Sequence, residues 1–289
     1  MKVALTGSSG RLGSSIQHYC DANGIECMAI SRNIYKGERH SGILKAALSE
    51  ASVSLFIHCA ANTNVEQCEE FPDKCYQDNY LWPELLASLC DSLGIKFVFI
   101  SSTGIYGLGK KTAYDDMDEV NPTTVHHRSK WRAEQAVDRG MLDYLIIRTG
   151  WLFGGPWDSP NNFVANRIRE AQEEPEFIKS DSSQFGCPTY VDDVTVSIFK
   201  LLSLGAKGTF NCVNEGYASR FEYVSKILEL ANLPIKITAV DGKSFNRKAK
   251  VSWNEMADNN KLKVLTDHVM PDWQKSLELY LSLHRNRWS

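Results

Sequence analysis

A chain of 289 residues with 43% hydrophobic and 23% charged side chains can bury one large core, or a core with a smaller lobe, and its formal net charge of −3 argues against a nucleic-acid surface. Its apolar runs are far too short to cross a bilayer, and the N-terminus lacks a basic segment followed by an apolar one and a small-residue cleavage site, so no membrane contact is expected and the cytosol is the expected compartment. Eight cysteines include no CxxC pair and seven histidines no HExxH arrangement, which predicts packed, reduced thiols and no metal.

Val3-Ala4-Leu5-Thr6 reads as a short buried strand, Gly7-Ser8-Ser9-Gly10-Arg11-Leu12-Gly13 as a glycine-rich turn, and Ser14 to Ala22 as the opening of a helix. The glycines stand three residues apart. Gly7 suits the tight turn, Gly10 lets the backbone approach a pyrophosphate, and Gly13 lets helix pack on strand. A dinucleotide diphosphate is therefore expected at this helix N-terminus, held by Ser9, Gly10, Arg11, Leu12 and Gly13. A second strand over 25–30 follows at βαβ distance and runs into Ser31-Arg32-Asn33. An acidic residue there would take a ribose 2′-hydroxyl, whereas Arg32 suits a 2′-phosphate; NADPH is the expected cofactor, with NADH the alternative and a solvated loop arginine the plain reading.

Helical pattern covers about 43–51, and 53–58 reads as a buried parallel strand that runs into Cys59-Ala60-Ala61-Asn62-Thr63. Small residues such as Ala60 and Ala61 at a strand's C-terminal end let a flat ligand approach the backbone. A long helix is expected over 72–93, stopped by Gly94, with Asn79 either a surface amide or a link to an active site. The strand over 96–100 ends in Ser101-Ser102-Thr103, whose hydroxyls can hydrogen-bond a carbonyl. The helix over 122–139 carries His126-His127-Arg128-Ser129-Lys130, and a strand over 142–147 follows. Beyond Gly155 the alternation weakens into a helix over 163–172, a possible strand over 176–178, a turn over 184–189, a helix over 192–204, a strand over 208–213, a helix over 220–231 and an amphipathic helix over 271–283. The expected class is α/β. A Rossmann-type doubly wound parallel sheet occupies 1–150, with 186–215 returning to it, and 151–289 forms mainly a smaller, interleaved substrate-binding lobe.

Taken in order, Thr6 through Gly13, Cys59 through Glu66, Asn79, Ile100-Ser101-Ser102, Arg148 through Gly154, Asn162-Phe163, Gln184 through Thr189, Asp192-Asp193 and Asp272-Trp273 resemble the extended short-chain dehydrogenase/reductases. Within that group the likeness is to the dTDP-4-dehydrorhamnose reductase type, and it spans nearly the whole chain. The resemblance implies a domain that binds NAD(P)H, a small lobe closing over a nucleotide sugar, and hydride transfer to the C4 keto group of a dTDP-4-keto-6-deoxyhexose, as in dTDP-rhamnose biosynthesis. By position it implies that Ser102 hydrogen-bonds the keto oxygen, that Lys130 binds the nicotinamide ribose and lowers the pKa of a proton donor, and that Asn79 supports the proton relay. Thr63, Thr103, Trp151, Asn162, Gln184 and Pro188 are the expected contacts to the sugar nucleotide. The helices over 72–93 and 122–139 are the expected homodimer interface.

The sequence departs from that pattern where chemistry matters most. The family's pair is Tyr-x-x-x-Lys, one helical turn apart; here Lys130 is present and the tyrosine position holds His126. A phenol needs lysine's charge to bring its pKa down from about 10, while imidazole starts near about 6.5 and is lowered further beside Lys130. Neutral imidazole donates one hydrogen bond but is a poor source of a full proton, and its reach is shorter than phenol's. Tyr106 and Tyr114 are candidate substitutes, although neither has the four-residue spacing to Lys130. Ser41-Gly42-Ile43 stands where an acidic residue often meets adenine, and Ser102-Thr103 resembles the epimerase branch of the superfamily. Three readings follow: a reductase using Ser102, Lys130 and His126 or a water; a non-catalytic cofactor- and nucleotide-sugar-binding subunit; and a nucleotide-sugar epimerase.

Overall fold

Six parallel strands form the central sheet of the computed structural model, which describes residues 1–35, 40–173, 177–234 and 236–288. They are β1 (Lys2–Thr6), β2 (Glu26–Ile30), β3 (Leu55–His58), β4 (Lys96–Ser102), β5 (Tyr144–Thr149) and β6 (Gly208–Cys212), in the order β6-β5-β4-β3-β1-β2. Both faces are covered, which is why the strands read as continuous apolar runs. Val3 and Leu5 point into one core with the helix α1 (Arg11–Ala22). Ala4, Phe56, Phe97 and Phe99 point into the other, under α2 (His40–Glu50). No described helix is long and apolar enough to cross a membrane.

The chain runs from β1 outward to β2 and then returns to place β3 on the other side of β1. This reversal opens a crevice beyond the carboxyl ends of β1 and β3, where open α/β sheets take their ligands. Two glycines shape it. Gly7 has φ of 70° and a side chain there would meet Ala60 N at 2.8 Å, while one at Gly13 would lie 2.0 Å from the Gly7 carbonyl oxygen.

The helix expected over 72–93 is broken into three pieces after the short α3 (Val65–Glu70): α4 (Pro72–Tyr76), a π-helical turn (Gln77–Leu81) and α5 (Trp82–Ser92). Pro83 explains the wide turn. It has no N–H for the Asn79 carbonyl and its ring crowds that carbonyl, so Trp82 N–H donates to Gln77 O, five residues back. Next in the chain, α6 (Val125–Gly140) starts on Thr124, whose Oγ1 accepts the His127 N–H at 3.1 Å.

After β5 the chain leaves the sheet. Trp151–Phe153 pairs with Pro188–Tyr190, α7 (Phe163–Glu173) follows, and Phe177–Asp181 pairs with Lys236–Val240. Of the strand expected over 176–178, Glu176 lies outside the described residues. The expected turn over 184–189 contains two short strands, Phe185–Gly186 and Pro188–Tyr190. Then α8 (Val191–Ser203) crosses back, β6 pairs with β5, and α9 (Arg220–Leu230), α10 (Asn260–Thr266) and α11 (Trp273–Leu283) complete the lobe.

Candidate active site

A cleft of about 650 Å³ lies over the crevice between β1 and β3. Arg11, Arg32, Ala61, Thr63, Trp151 and Arg220 are among its walls. No side chain caps α1 at Gly10, which leaves first-turn backbone N–H groups for an anion. Ser9 is exposed on this turn, whereas the Leu12 side chain is buried in the core, so only its backbone can serve a ligand. Arg11 donates from Nη1 to the Asn161 carbonyl at 3.0 Å, tying the loop before α7 to the glycine turn. Ala60 lies behind the wall with its N–H 3.4 Å from Thr6 Oγ1.

A second cavity of about 450 Å³ shares Trp151, Phe163 and Arg220 with the first. Ser102 and His127 stand on its wall beside Gln184 and Glu255. The Arg220 guanidinium sits 3.4 Å from the centre of the Trp151 ring, and Trp151 Nε1 donates to Glu255 Oε2 at 2.7 Å. Burial lowers the Arg220 pKa to about 10 and raises that of Glu255, against the mutual attraction of the pair. Ser102 ends β4 and accepts from Gly104 N at 3.2 Å, which caps a short 3₁₀ turn and holds its hydroxyl at the cavity.

The two neighbouring histidines face different surroundings. His127 Nδ1 lies 3.0 Å from Thr124 Oγ1. That oxygen also accepts the His127 backbone N–H; with the Thr124 hydroxyl proton donated to Nδ1, the ring proton would sit on Nε2. The ring lies against Gly104, where a Cβ would come within 2.2 Å of it. Burial and then Lys130 lower the His127 pKa to about 4, which keeps the imidazole neutral. His126 is also buried, and burial, His127 and Lys130 hold its pKa well below the usual range. Its Nδ1 is 3.0 Å from the Asn62 carbonyl oxygen and 3.3 Å from Asn79 Nδ2. His126 Nδ1 is thus held on the Asn62 loop, and the imidazole that lines the second cavity is that of His127.

Asn79, inside the π turn, grips Asn62 from both sides. Its Oδ1 accepts the Asn62 N–H at 2.7 Å and its Nδ2 donates to the Asn62 carbonyl at 3.0 Å. Lys130 is buried with Nζ 4.1 Å above the Phe99 ring, and burial pulls its pKa down to about 8. Tyr106 and Tyr114 stack on each other at 4.7 Å and spend their hydroxyls on Asn211 and Gly107, away from the cavity.

Of the expected substrate contacts, Thr63, Ser102, Trp151 and Gln184 line one or both cavities. Three others stand behind the walls. Thr103 is buried as the first residue of the 3₁₀ turn after Ser102, and Pro188 is buried in its short strand. Asn162 accepts from Ala165 N at the start of α7 and donates to Tyr280 OH at 2.7 Å, so its amide is structural. Sequence reasoning missed His127, Arg220 and Glu255. His127 adjoins the tyrosine position, which was a usable signal; the stacking of Arg220 on Trp151 joins residues 69 apart in the chain and left none.

The chain matches the family model described as RmlD substrate binding domain over residues 1–285. It is 28% identical over 253 residues to the spore coat polysaccharide biosynthesis protein SpsK of Bacillus subtilis, covering 86% of this chain and 85% of that protein. It is 26% identical over 297 residues to a dTDP-4-dehydrorhamnose reductase of Mycobacterium tuberculosis, covering 100% of this chain and 95% of that one. Among solved structures, the dTDP-4-dehydrorhamnose reductase of Bacillus anthracis in complex with NADP matches with a TM-score of 0.91 at 29% identity, over 98% of this chain and 99% of that one. The UDP-glucose 4-epimerase of Thermus thermophilus complexed with NAD has a TM-score of 0.81 at 20% identity over 99% of both chains, a likeness of fold alone.

Proposed function

The chain belongs to the RmlD substrate-binding-domain family, and from that premise we propose that it is an NADPH-dependent reductase of the C4 keto group of a dTDP-linked 4-keto-6-deoxyhexose. The observation that carries this reading is the meeting of two cavities at Trp151 and Arg220, one under the glycine turn and the other beside Ser102 and His127. The cofactor fits the first on its own geometry. The turn has no room for a Cβ at Gly7 or Gly13, α1 is open at Gly10, and Arg11 and Arg32 flank the cleft for a 2′-phosphate.

When bound, NADPH would supply the hydride that reduces C4. Ser102 and the neutral His127 Nε2–H then donate hydrogen bonds to the charge that grows on the C4 oxygen, and water delivers the final proton. Lys130 holds the nicotinamide ribose, and Asn79 fixes the Asn62 loop beside it. Arg220 presents a cation to the diphosphate of the sugar nucleotide. The reading includes a homodimer packed through the helical stretches over 72–93 and 122–139 and a cytosolic compartment.

The test follows NADPH absorbance with a dTDP-4-keto-6-deoxyhexose, with NADPH binding measured separately. Wild type turns over; Ser102→Ala and His127→Phe each lose about 10²-fold in kcat, with NADPH affinity kept. A wild type that binds NADPH yet leaves the sugar unreduced overturns the reductase in favour of a binding subunit.

A further inference from the structure

Behind the active-site wall three soft donors from three helices converge. Cys68 of α3, Cys75 of α4 and His126 of α6 bring Sγ, Sγ and Nδ1 within 4.8 Å of one another. Both thiols are free and fully buried, and His126 is 7% exposed. The Asn62 carbonyl oxygen meets the same point, 3.0 Å from His126 Nδ1 and 3.8 Å from Cys68 Sγ. We propose that this cluster binds a divalent cation of the zinc class through the Cys68 and Cys75 thiolates and His126 Nδ1, with the Asn62 carbonyl or a water in the fourth position.

The donor chemistry selects the ion. Two thiolates and an imidazole suit zinc, whereas magnesium and calcium need carboxylate and carbonyl oxygens. A tetrahedron with metal–sulfur bonds of about 2.3 Å has edges of about 3.8 Å, so donors already gathered within 4.8 Å close on an ion by small side-chain movements. The surroundings match what a metal thiolate requires. Asn79 Nδ2 lies 3.4 Å from Cys75 Sγ, placed to donate to a coordinated sulfur. Loading releases two thiol protons to solvent, and two thiolates with one dication carry no net charge, which makes the buried position affordable. The imidazole that completes the set stands at the position where the family's tyrosine is expected. The inference is independent of the reductase reading: the ion joins the Asn62 loop, α3, α4 and α6 and stiffens the floor of the cofactor cleft, with no part in hydride transfer.

The experiment uses the full chain expressed in zinc-supplemented medium, with metal content by mass spectrometry and thiols counted after denaturation. The expected result is about one zinc per chain, falling below about 0.1 in Cys75→Ser and in Cys68→Ser. In cobalt-grown wild type the site should show a near-ultraviolet thiolate-to-cobalt band with the intense visible bands of tetrahedral coordination. His126→Ala should keep the thiolate band but bind cobalt at least tenfold more weakly. Because the cobalt spectrum is read on wild type, misfolding of a variant does not rescue the idea. Zinc-free wild type with both thiols free, zinc retained by the Cys68→Ser/Cys75→Ser double variant, or a Cys68–Cys75 disulfide in the native protein each overturns it.

Discussion

His58 closes β3 with its Nδ1 2.8 Å from Thr6 Oγ1 and its ring 6.2 Å from the rings of both Phe97 and Phe99. Burial, and then the charge of Lys130, lower its pKa to about 3. In the unfolded chain it protonates near about 6.5, so its neutral form contributes stability that is complete above that pH and is lost as pH falls toward 3. The loss runs at about 1.4 kcal/mol per pH unit across the window. Denaturant midpoints taken between pH 7 and pH 4 should therefore fall steeply for wild type and less steeply, by one proton's worth, for His58→Asn; parallel curves would remove His58 from the acid response. At this scale the sequence was partly legible. Gly7 and Gly13 announced their roles because only a missing Cβ fits their contacts, and Ser102 did so by ending a strand. The fate of His126 was not legible, because successive helix residues turn by about 100° and nothing in the spacing to Lys130 says which neighbour an imidazole will reach.

The helices Val65–Glu70 and Asn260–Thr266 and the strand Lys236–Val240 were not anticipated; among the elements that were, helix and strand identities followed from apolar periodicity, and most boundaries moved by only a residue or two. The π turn at Gln77–Leu81 is the exception, since periodicity records which face is buried and not whether a carbonyl has lost its donor. Pro83 was the available signal. Replacing it with alanine restores an N–H four residues after Asn79 and lets an α-helix run straight through the turn, which rotates the Asn79 amide off Asn62. Two hydrogen bonds to the floor of the cofactor cleft would go with it. Pro83→Ala should bind NADPH about thirtyfold more weakly, at about 1 kcal/mol net for each of the two hydrogen bonds lost, and fluorescence titration reads this directly. An unchanged affinity would mean that the packing of Asn79, and not the proline, keeps the turn open.

At the scale of the whole molecule, the expected division into a cofactor domain and a substrate lobe would be one of ligands and not of cores. We propose that residues 1–150 and 151–289 do not unfold separately. One buried cluster contains Val3 and Leu5 of β1, Phe210 of β6 and, from the lobe, Tyr223, Trp273, Leu277 and Tyr280. β6 supplies the outer neighbour of β5 only after the chain has passed through the lobe, so a chain ending at 150 would expose the β5 edge and lose most of that cluster. The sequence hinted at this through the apolar strand over 208–213 set among lobe residues, yet it could not reveal that α11 packs into the cluster that buries β1. Calorimetry should show one endotherm. NADPH at about a hundred times its Kd adds about 2.7 kcal/mol to whatever unfolds with the cleft. If the cores are one, the entire endotherm moves upward with the cofactor; if the lobe melts independently, part of the heat stays where it was.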